Sequence, residues 1–183
     1  MRIGLEDILG YEILGNSDNF YERMLSITDR IALELQELGL KVAKEAEKNS
    51  GKIDQRVLDR AVRKWAKNSI RAFCTMVSNR MNSRDTKAAR RNQCIYACGT
   101  IDADRFTYKD IEEKIRELFP NSTNGVTLNV SGELSKLAKD ENALLKRLPT
   151  DDAYRLSSPK VRMAIRTMLS ISDGKVVRTI TDI

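Results

Sequence analysis

Cysteines and paired acids are the residues in this sequence that could bind a metal ion or act in acid/base catalysis. Cys94 and Cys98 stand four residues apart, a spacing that could direct two thiolates from one helix to a metal ion. No further ligands accompany them and the chain has no histidine, so we expect core cysteines and predict no metal site. The neighbouring acids Glu112–Glu113 and Asp151–Asp152 do not have the arrangement of a general acid/base pair. Without histidine there is also no Ser-His or Cys-His pair, and we predict a protein that is not an enzyme.

Basic residues gather in the middle of the chain. Residues 1–55 carry a net charge of −4, residues 56–91 carry +9 and the remainder carries +1. A band of one sign often marks contact with an anionic partner. At about 100° per residue, five cations fall on one side of a predicted helix, opposite an apolar side that contains Trp65. These cations are Arg56, Arg60, Arg63, Lys67 and Arg71.

Three interpretations of this basic stripe stay open. Each Lys or Arg that neutralises a phosphate releases counterions, so the stripe could bind nucleic acid with an affinity that depends on salt. It could equally dock on an acidic face of the N-terminal region or of another subunit, or remain a solvated helix face. We expect Trp65 to be a core residue rather than a stacking platform for bases.

Helices dominate the elements that must position these residues. The 183 residues include only three prolines and nine glycines, which leaves few interruptions. Apolar residues at helical spacing predict a helical segment from Asn19, which Gly39 is expected to divide in two. Asp54 is a good N-cap for one long amphipathic helix that is predicted to end near Met81.

A polar connector, Asn82–Thr86, is the predicted boundary between a helical region at 1–82 and a second domain at 83–183. In the second domain, helices are predicted at 88–100, 108–119 and 128–140, a loop at 120–125, strands at 143–148 and 153–157, and a last helix after Pro159. Three helices followed by a hairpin is the order of a winged helix, a helix-turn-helix with an appended β-ribbon. The predicted fold is therefore mainly α, with one small β-hairpin.

The residues around this hairpin also resemble a known family. Ala143–Leu148, the following turn and Tyr154–Arg162 are similar to the C-terminal winged helix of initiator-type and related bacterial AAA+ ATPases, where the second wing strand runs into a YRF-x-(D/N)-P-hydrophobic signature. From about residue 19 the upstream elements follow the order of that family's helical lid. The resemblance thus implies a lid-like region followed by a winged helix.

The chain departs from that family because it lacks the G-x-x-x-x-G-K-[ST] phosphate loop and a strand ending in paired acids. Without them it cannot bind and hydrolyse ATP by that route, and we expect no cofactor. The resemblance therefore implies the C-terminal region of such an ATPase without its ATPase core.

Candidate nucleic-acid contacts fall in two places besides the basic stripe, which contributes Arg60, Arg63, Lys67 and Arg71. The presumed recognition helix offers cations and hydroxyls but also acids, and the wing tip at Asp151–Asp152 would repel phosphate. The connector is the better phosphate candidate. The residues predicted to bind in these regions are Ser135, Lys136 and Lys139 of the recognition helix and Arg84, Lys87, Arg90 and Arg91 of the connector.

We therefore predict a winged-helix protein that binds double-stranded DNA or acts as an adaptor within a larger DNA-associated assembly. The alternative is a protein-interaction module that docks on an AAA+ ATPase or on copies of itself without touching DNA. No apolar run approaches the roughly 20 residues that span a bilayer, so we expect no membrane partner. The three cysteines lack disulfide spacing and the N-terminus lacks a signal peptide, which predicts a cytoplasmic location.

Overall fold

The computed structural model describes residues 3–83, 86, 89–149 and 152–180. It is mainly helical, as predicted, and the chain divides into two compact units, one ending at Arg71 and one starting at Ala72. The sequence placed this division further along the chain, at residue 82. In the first unit a π-type turn, Ile3–Ile8, precedes β1 (Glu12–Ile13), α1 (Ser17–Ile27), α2 (Ala32–Glu47), β2 (Lys52–Ile53) and α3 (Gln55–Ser69).

Side-chain caps fix where the helices of the first unit begin. The Asn16 side chain accepts a hydrogen bond from the Asn19 amide at the start of α1. Asp54 caps α3, as predicted, by accepting from the Val57 amide at 2.8 Å. Such caps satisfy amides that have no partner within the helix and are each worth about 1 kcal/mol.

The predicted break at Gly39 is wrong, because Gly39 lies inside α2. The chain reverses earlier, at Asp29 and Arg30, which both adopt the left-handed backbone region with φ of 51° and 58°. These residues end α1 and allow α2 to run without interruption past Gly39.

The single long helix predicted from Asp54 to Met81 is also wrong. α3 ends at Ser69, and α4 (Arg71–Arg80) begins after Ile70, whose φ of −133° and ψ of 14° lie outside the helical region. The Ile70 side chain is buried there. The apolar spacing continues across this residue, so periodicity alone does not reveal a break of one residue.

Packing of α2 against α3 forms the centre of the first unit. Trp65 is fully buried, which confirms its predicted place in the core. It is surrounded in sequence by further buried positions at helical spacing, and the opposite side of α3 is exposed, as the amphipathic pattern predicts. The buried residues of α3 are Val57, Leu58, Ala61, Val62, Trp65 and Ala66.

The second unit contains most of α4 and all later elements. The Thr107 side chain and the Asp110 carboxylate form a reciprocal capping box at the start of α6, and Ser158 with Pro159 starts α9 as expected. The elements are α5 (Arg90–Thr100), α6 (Tyr108–Leu118), α7 (Pro120–Thr123), α8 (Val130–Leu137), β3 (Leu145–Arg147), β4 (Tyr154–Leu156), α9 (Pro159–Met168), β5 (Leu169–Ser172) and β6 (Lys175–Arg178).

The predicted hairpin is confirmed, since β3 and β4 pair in antiparallel register. Phe106, between α5 and α6, adds a bridge to β4, and its amide and carbonyl both bond to Tyr154. Phe106 itself is buried, as are Ile111 and Ile115 of α6. The helices α5, α6 and α8 pack against one another, and the hairpin contacts α8 through β3 and α9 through β4.

Three features correct the sequence prediction. Residues 120–123, predicted as loop, form the helical turn α7, which Pro120 starts because its fixed φ suits a first helical position. The prediction of one small hairpin is wrong, because β5 and β6 form a second one through Asp173–Gly174, both at positive φ. In the first unit, β1 and β2 add a short parallel pair that lacks the alternating pattern of a recognisable strand.

Candidate nucleic-acid interface

One side of α3 carries the basic stripe that the sequence predicted. Arg56, Arg60, Arg63, Lys67 and the adjoining Arg71 are all exposed. Among the residues that the structure describes, no hydrogen bond or ion pair engages the side chains of Arg56, Arg63 and Lys67. These three cations are therefore open to solvent or to a ligand.

Arg60 differs from its neighbours because it contacts a buried acid of α2. Its Nε donates to Glu45 Oε2 at 3.1 Å, while Lys48 and Lys64 donate to Oε1 of the same carboxylate. Hydrogen bonds from Lys64 and Lys48, partly opposed by burial, lower the Glu45 pKa to about 2. The carboxylate is thus ionised at neutral pH and surrounded by three cations.

Other acids of α2 also accept hydrogen bonds from side chains of α3. Trp65 Nε1 donates to Glu34 Oε2 at 3.3 Å, and the Ser69 hydroxyl donates to Glu37 at 2.9 Å. The stripe was expected to bind nucleic acid, to dock on an acidic face or to stay solvated. Docking on an acidic face of the N-terminal region is seen at Arg60, which contacts Glu45. Glu34 and Glu37 contact Trp65 and Ser69, which are not members of the stripe, and Glu47 accepts from the Tyr11 hydroxyl.

The two described residues of the predicted connector cluster, Arg90 and Arg91, contact other residues of the second unit. Arg84 and Lys87 lie outside the described residues. Arg90 is half-buried and donates to the Gln93 side chain, and burial lowers its pKa. Arg91 forms an ion pair with Glu133 of α8 at 2.9 Å, which ties α5 to α8.

The presumed recognition helix α8 presents a mixed surface. The Ser135 hydroxyl lies 3.2 Å from the Tyr154 hydroxyl, and Lys136 forms an ion pair with Glu133. Burial opposes ionisation of Glu133, but its bonds with Lys136 and Arg91 outweigh this and lower the pKa. Lys139 is exposed, and the structure gives its ammonium group no partner among the described residues.

The β3–β4 hairpin carries two cations that the sequence analysis missed. Lys146 and Arg155 are direct cross-strand partners on the exposed face, and neither contacts an acid among the described residues. Of the two acids predicted at the wing tip, Asp152 forms an ion pair with Arg147. Asp151 lies outside the described residues. Alternation in β4, where Arg155 is exposed between buried Tyr154 and Leu156, could have identified Arg155, and the hairpin register then gives Lys146 as its partner.

The described cysteines and acids do not form a metal site. Cys94 and Cys98 are buried in α5, as expected, and burial raises the Cys94 pKa to about 12 and the Cys98 pKa well above its usual value. Within residues 3–83, 86, 89–149 and 152–180, no three His, Cys, Asp or Glu side chains cluster to hold a metal ion. In the same residues no helix is both long and apolar enough to cross a membrane.

Comparison with known proteins returns no relatives: no family model, no curated protein and no solved structure matches the chain. The interface must therefore be interpreted from its own geometry and charge.

Proposed function

We propose that the chain is a non-catalytic protein that binds double-stranded DNA through a winged helix in its second unit, within a larger DNA-associated assembly. The order of elements supports this arrangement. α5, the Phe106 bridge, α6, α8 and the β3–β4 hairpin follow one another as the helices and strands of a winged helix do. In this interpretation α8 is the recognition helix and the hairpin is the wing.

The observation that carries the proposal is the cation pair on the wing. Like charges directly opposite each other on neighbouring strands destabilise a sheet, and here Lys146 faces Arg155 with no acid between them among the described residues. A binding role explains why this local cost is retained, because two neighbouring DNA phosphates would neutralise the two cations. Lys136 and Lys139 extend the cationic surface along the exposed side of α8.

The proposal moves the contact away from the connector. Arg90 and Arg91 stabilise the packing of α5 through Gln93 and Glu133, so we assign them a structural role. Instead of the connector, we assign phosphate binding to the wing and to the exposed side of α8.

Charge reversal on the wing tests the proposal. We expect the full chain to bind a duplex of about 20 base pairs at low salt in a fluorescence anisotropy titration, and the double variant K146E/R155E to bind at least about tenfold more weakly. R147Q/D152N is the matched control, since it changes two wing residues but leaves the net charge unchanged. Equal affinity of K146E/R155E and the wild type, or no duplex binding by the wild type, would refute DNA binding through the wing.

A second candidate function is protein docking on an AAA+ ATPase or on another copy of the chain. It is favoured by Leu33 and Leu40, which lie seven residues apart on one side of α2 with exposed fractions of 63% and 55%. Sedimentation of the wild type and of L33D/L40D, with and without a candidate ATPase, tests it. A wild type that remains monomeric and unbound would exclude this function.

A further inference from the structure

Glu45 gathers three cations from two helices into one place on the first unit. Lys48 of α2 and Arg60 and Lys64 of α3 all contact its carboxylate, at 3.0, 3.1 and 2.5 Å. The acid side chain is only 5% exposed, whereas the cations are 64%, 46% and 53% exposed. One buried negative charge therefore holds three half-exposed positive charges, which leaves a local excess of two.

These cations keep donors that Glu45 does not use. Arg60 bonds to the acid through Nε, so both of its Nη groups have no partner among the described residues. Each lysine ammonium has three N–H donors, of which the carboxylate takes one. Because Glu45 already orders these long side chains, a bound anion would not have to immobilise all of them afresh.

The excess of positive charge continues along the same side of α3. Arg56, Arg63 and Lys67 flank Arg60 and Lys64 at helical spacing, and none of the three has a partner among the described residues. Asp59 is the one acid in the sequence of α3, and Arg23 and Gln55 already bind it. We call Lys48, Arg56, Arg60, Arg63, Lys64 and Lys67 the cation row.

The spacing within the row differs from that of an ordinary solvated helix face. Arg56–Arg60, Arg60–Lys64 and Arg63–Lys67 are like-charge pairs four residues apart, each of which disfavours the helix. At 1.5 Å of rise per residue, Arg56 and Arg63 stand about 10 Å apart along the axis. That distance is about the rise of three base pairs of duplex DNA, at roughly 3.4 Å each.

We infer that the cation row is a second nucleic-acid site, which binds the phosphate backbone without reading base sequence. Glu45 is its positioning residue, and the arginines and lysines of α3 are the groups that contact phosphate. The inference rests on the proposed nucleic-acid-binding function for the class of ligand, but it concerns different residues from the wing. It also accounts for the basic band that the sequence places before residue 91.

Lysine footprinting on the full chain tests the row and the wing separately. Acetylation of each lysine is measured by mass spectrometry with and without a 20-base-pair duplex, about the length used for the wing test. We expect protection of Lys48, Lys64 and Lys67, with no change at Lys52 and Lys109, which are exposed outside the row. Polyglutamate serves as the comparison ligand, because its carboxylates imitate an acidic protein surface.

The variant R63E/K67E is expected to weaken duplex binding by at least about tenfold. R30E/K52E makes the same charge change elsewhere on the first unit and is expected to leave binding unchanged. Protection in the row together with the loss in R63E/K67E supports the inference, and does so even if Lys146 is unprotected and the wing proposal fails.

Protection of Lys146 without protection in the row overturns the inference and leaves the wing proposal standing. Polyglutamate that protects the row as strongly as DNA also overturns it, because the ligand would then be an acidic protein. If duplex neither binds nor protects any lysine, both the row and the wing are refuted.

Discussion

The first and second units use their basic residues in different ways. Around Glu45 three cations share one acid, and three more on α3 have no acid at all among the described residues. In the second unit, Arg91 and Lys136 share Glu133, and Arg147 has Asp152, so cations and acids are nearly balanced. Lys139 and the cross-strand pair Lys146 and Arg155 have no acidic partner there among the described residues.

This difference shows that a count of basic residues does not identify a binding surface. Arg90 and Arg91 stand in the most basic stretch of the sequence, but Arg90 bonds to Gln93 within α5 and Arg91 joins α5 to α8 through Glu133. Lys146 and Arg155 stand in a segment of mixed charge and remain accessible. How many cations share each acid in the folded chain decides how much positive charge remains available to a ligand.

The largest expected effect comes from disturbing the contact between α5 and α9 in the second unit. A Cβ on Gly99 would stand 2.2 Å from Ile165 Cγ2, inside the contact between α5 and α9. Gly99→Ala is therefore expected to lower the free energy of unfolding by about 3 kcal/mol through overpacking. Denaturant unfolding followed by circular dichroism measures the loss.

Thr100→Ala is the control for that variant, because it changes the next residue of the same helix at a half-exposed position. It is expected to cost less than about 1 kcal/mol. If Gly99→Ala is as stable as this control, the close approach of α5 and α9 is wrong.

Acid should weaken the first unit through Glu45. The Glu45 pKa is lowered from 4.5 to about 2 in the folded state, so its contribution is complete above about pH 4.5 and is lost as the pH falls from there to about 2. The half-exposed cations are screened by water, so we expect a contribution of about 1–2 kcal/mol. The chain has a single tryptophan, Trp65, whose fluorescence reports unfolding of the first unit.

Glu45→Gln should be less stable than the wild type at neutral pH by that amount, and the difference should vanish towards pH 2. Glu22→Gln is the matched control, because its ion pair with Arg30 is 67% exposed on both sides and is expected to contribute less than about 1 kcal/mol. A Glu45→Gln deficit that persists unchanged at low pH would contradict the role of this carboxylate.

The smallest expected effects concern one helix cap in each unit. Asp54→Ala removes the cap of α3, and Thr107→Ala removes half of the capping box of α6. Each is expected to lower the free energy of unfolding by about 1 kcal/mol. Asp54→Asn and Thr107→Ser should retain most of the stability that the cap contributes. Equal losses in the alanine and the conservative variants would contradict the role of the capping hydrogen bonds, because asparagine and serine can still accept them.

Local signals in the sequence predict much of the fold. Helical spacing, the caps Asp54, Thr107 and Ser158 and the turn after Leu148 give the main helices and the first hairpin close to where the structure has them. Asp173–Gly174 between alternating apolar residues was also a readable hairpin signal, and it was missed. The break at Ile70 could not be found in this way, because the apolar stripe continues across it.

The candidate site was less predictable because it depends on contacts between elements distant in sequence. The exposed side of α3 follows from periodicity, but the convergence of Lys48, Arg60 and Lys64 on Glu45 depends on how α2 packs against α3. Likewise, the pairing of Lys146 with Arg155 depends on strand register. The spacing of residues along the sequence therefore predicts neither the convergence on Glu45 nor the pairing of Lys146 with Arg155.

The salt dependence of duplex binding tests the central claim most directly, which is that the cations without acidic partners bind the phosphate backbone. The logarithm of the affinity is measured against the logarithm of the salt concentration for the wild type, K146E/R155E and R63E/K67E. Each phosphate contact contributes about 0.9 to the slope, so each double variant should lower its magnitude by about 2. Slopes that match the wild type in both variants would contradict the account.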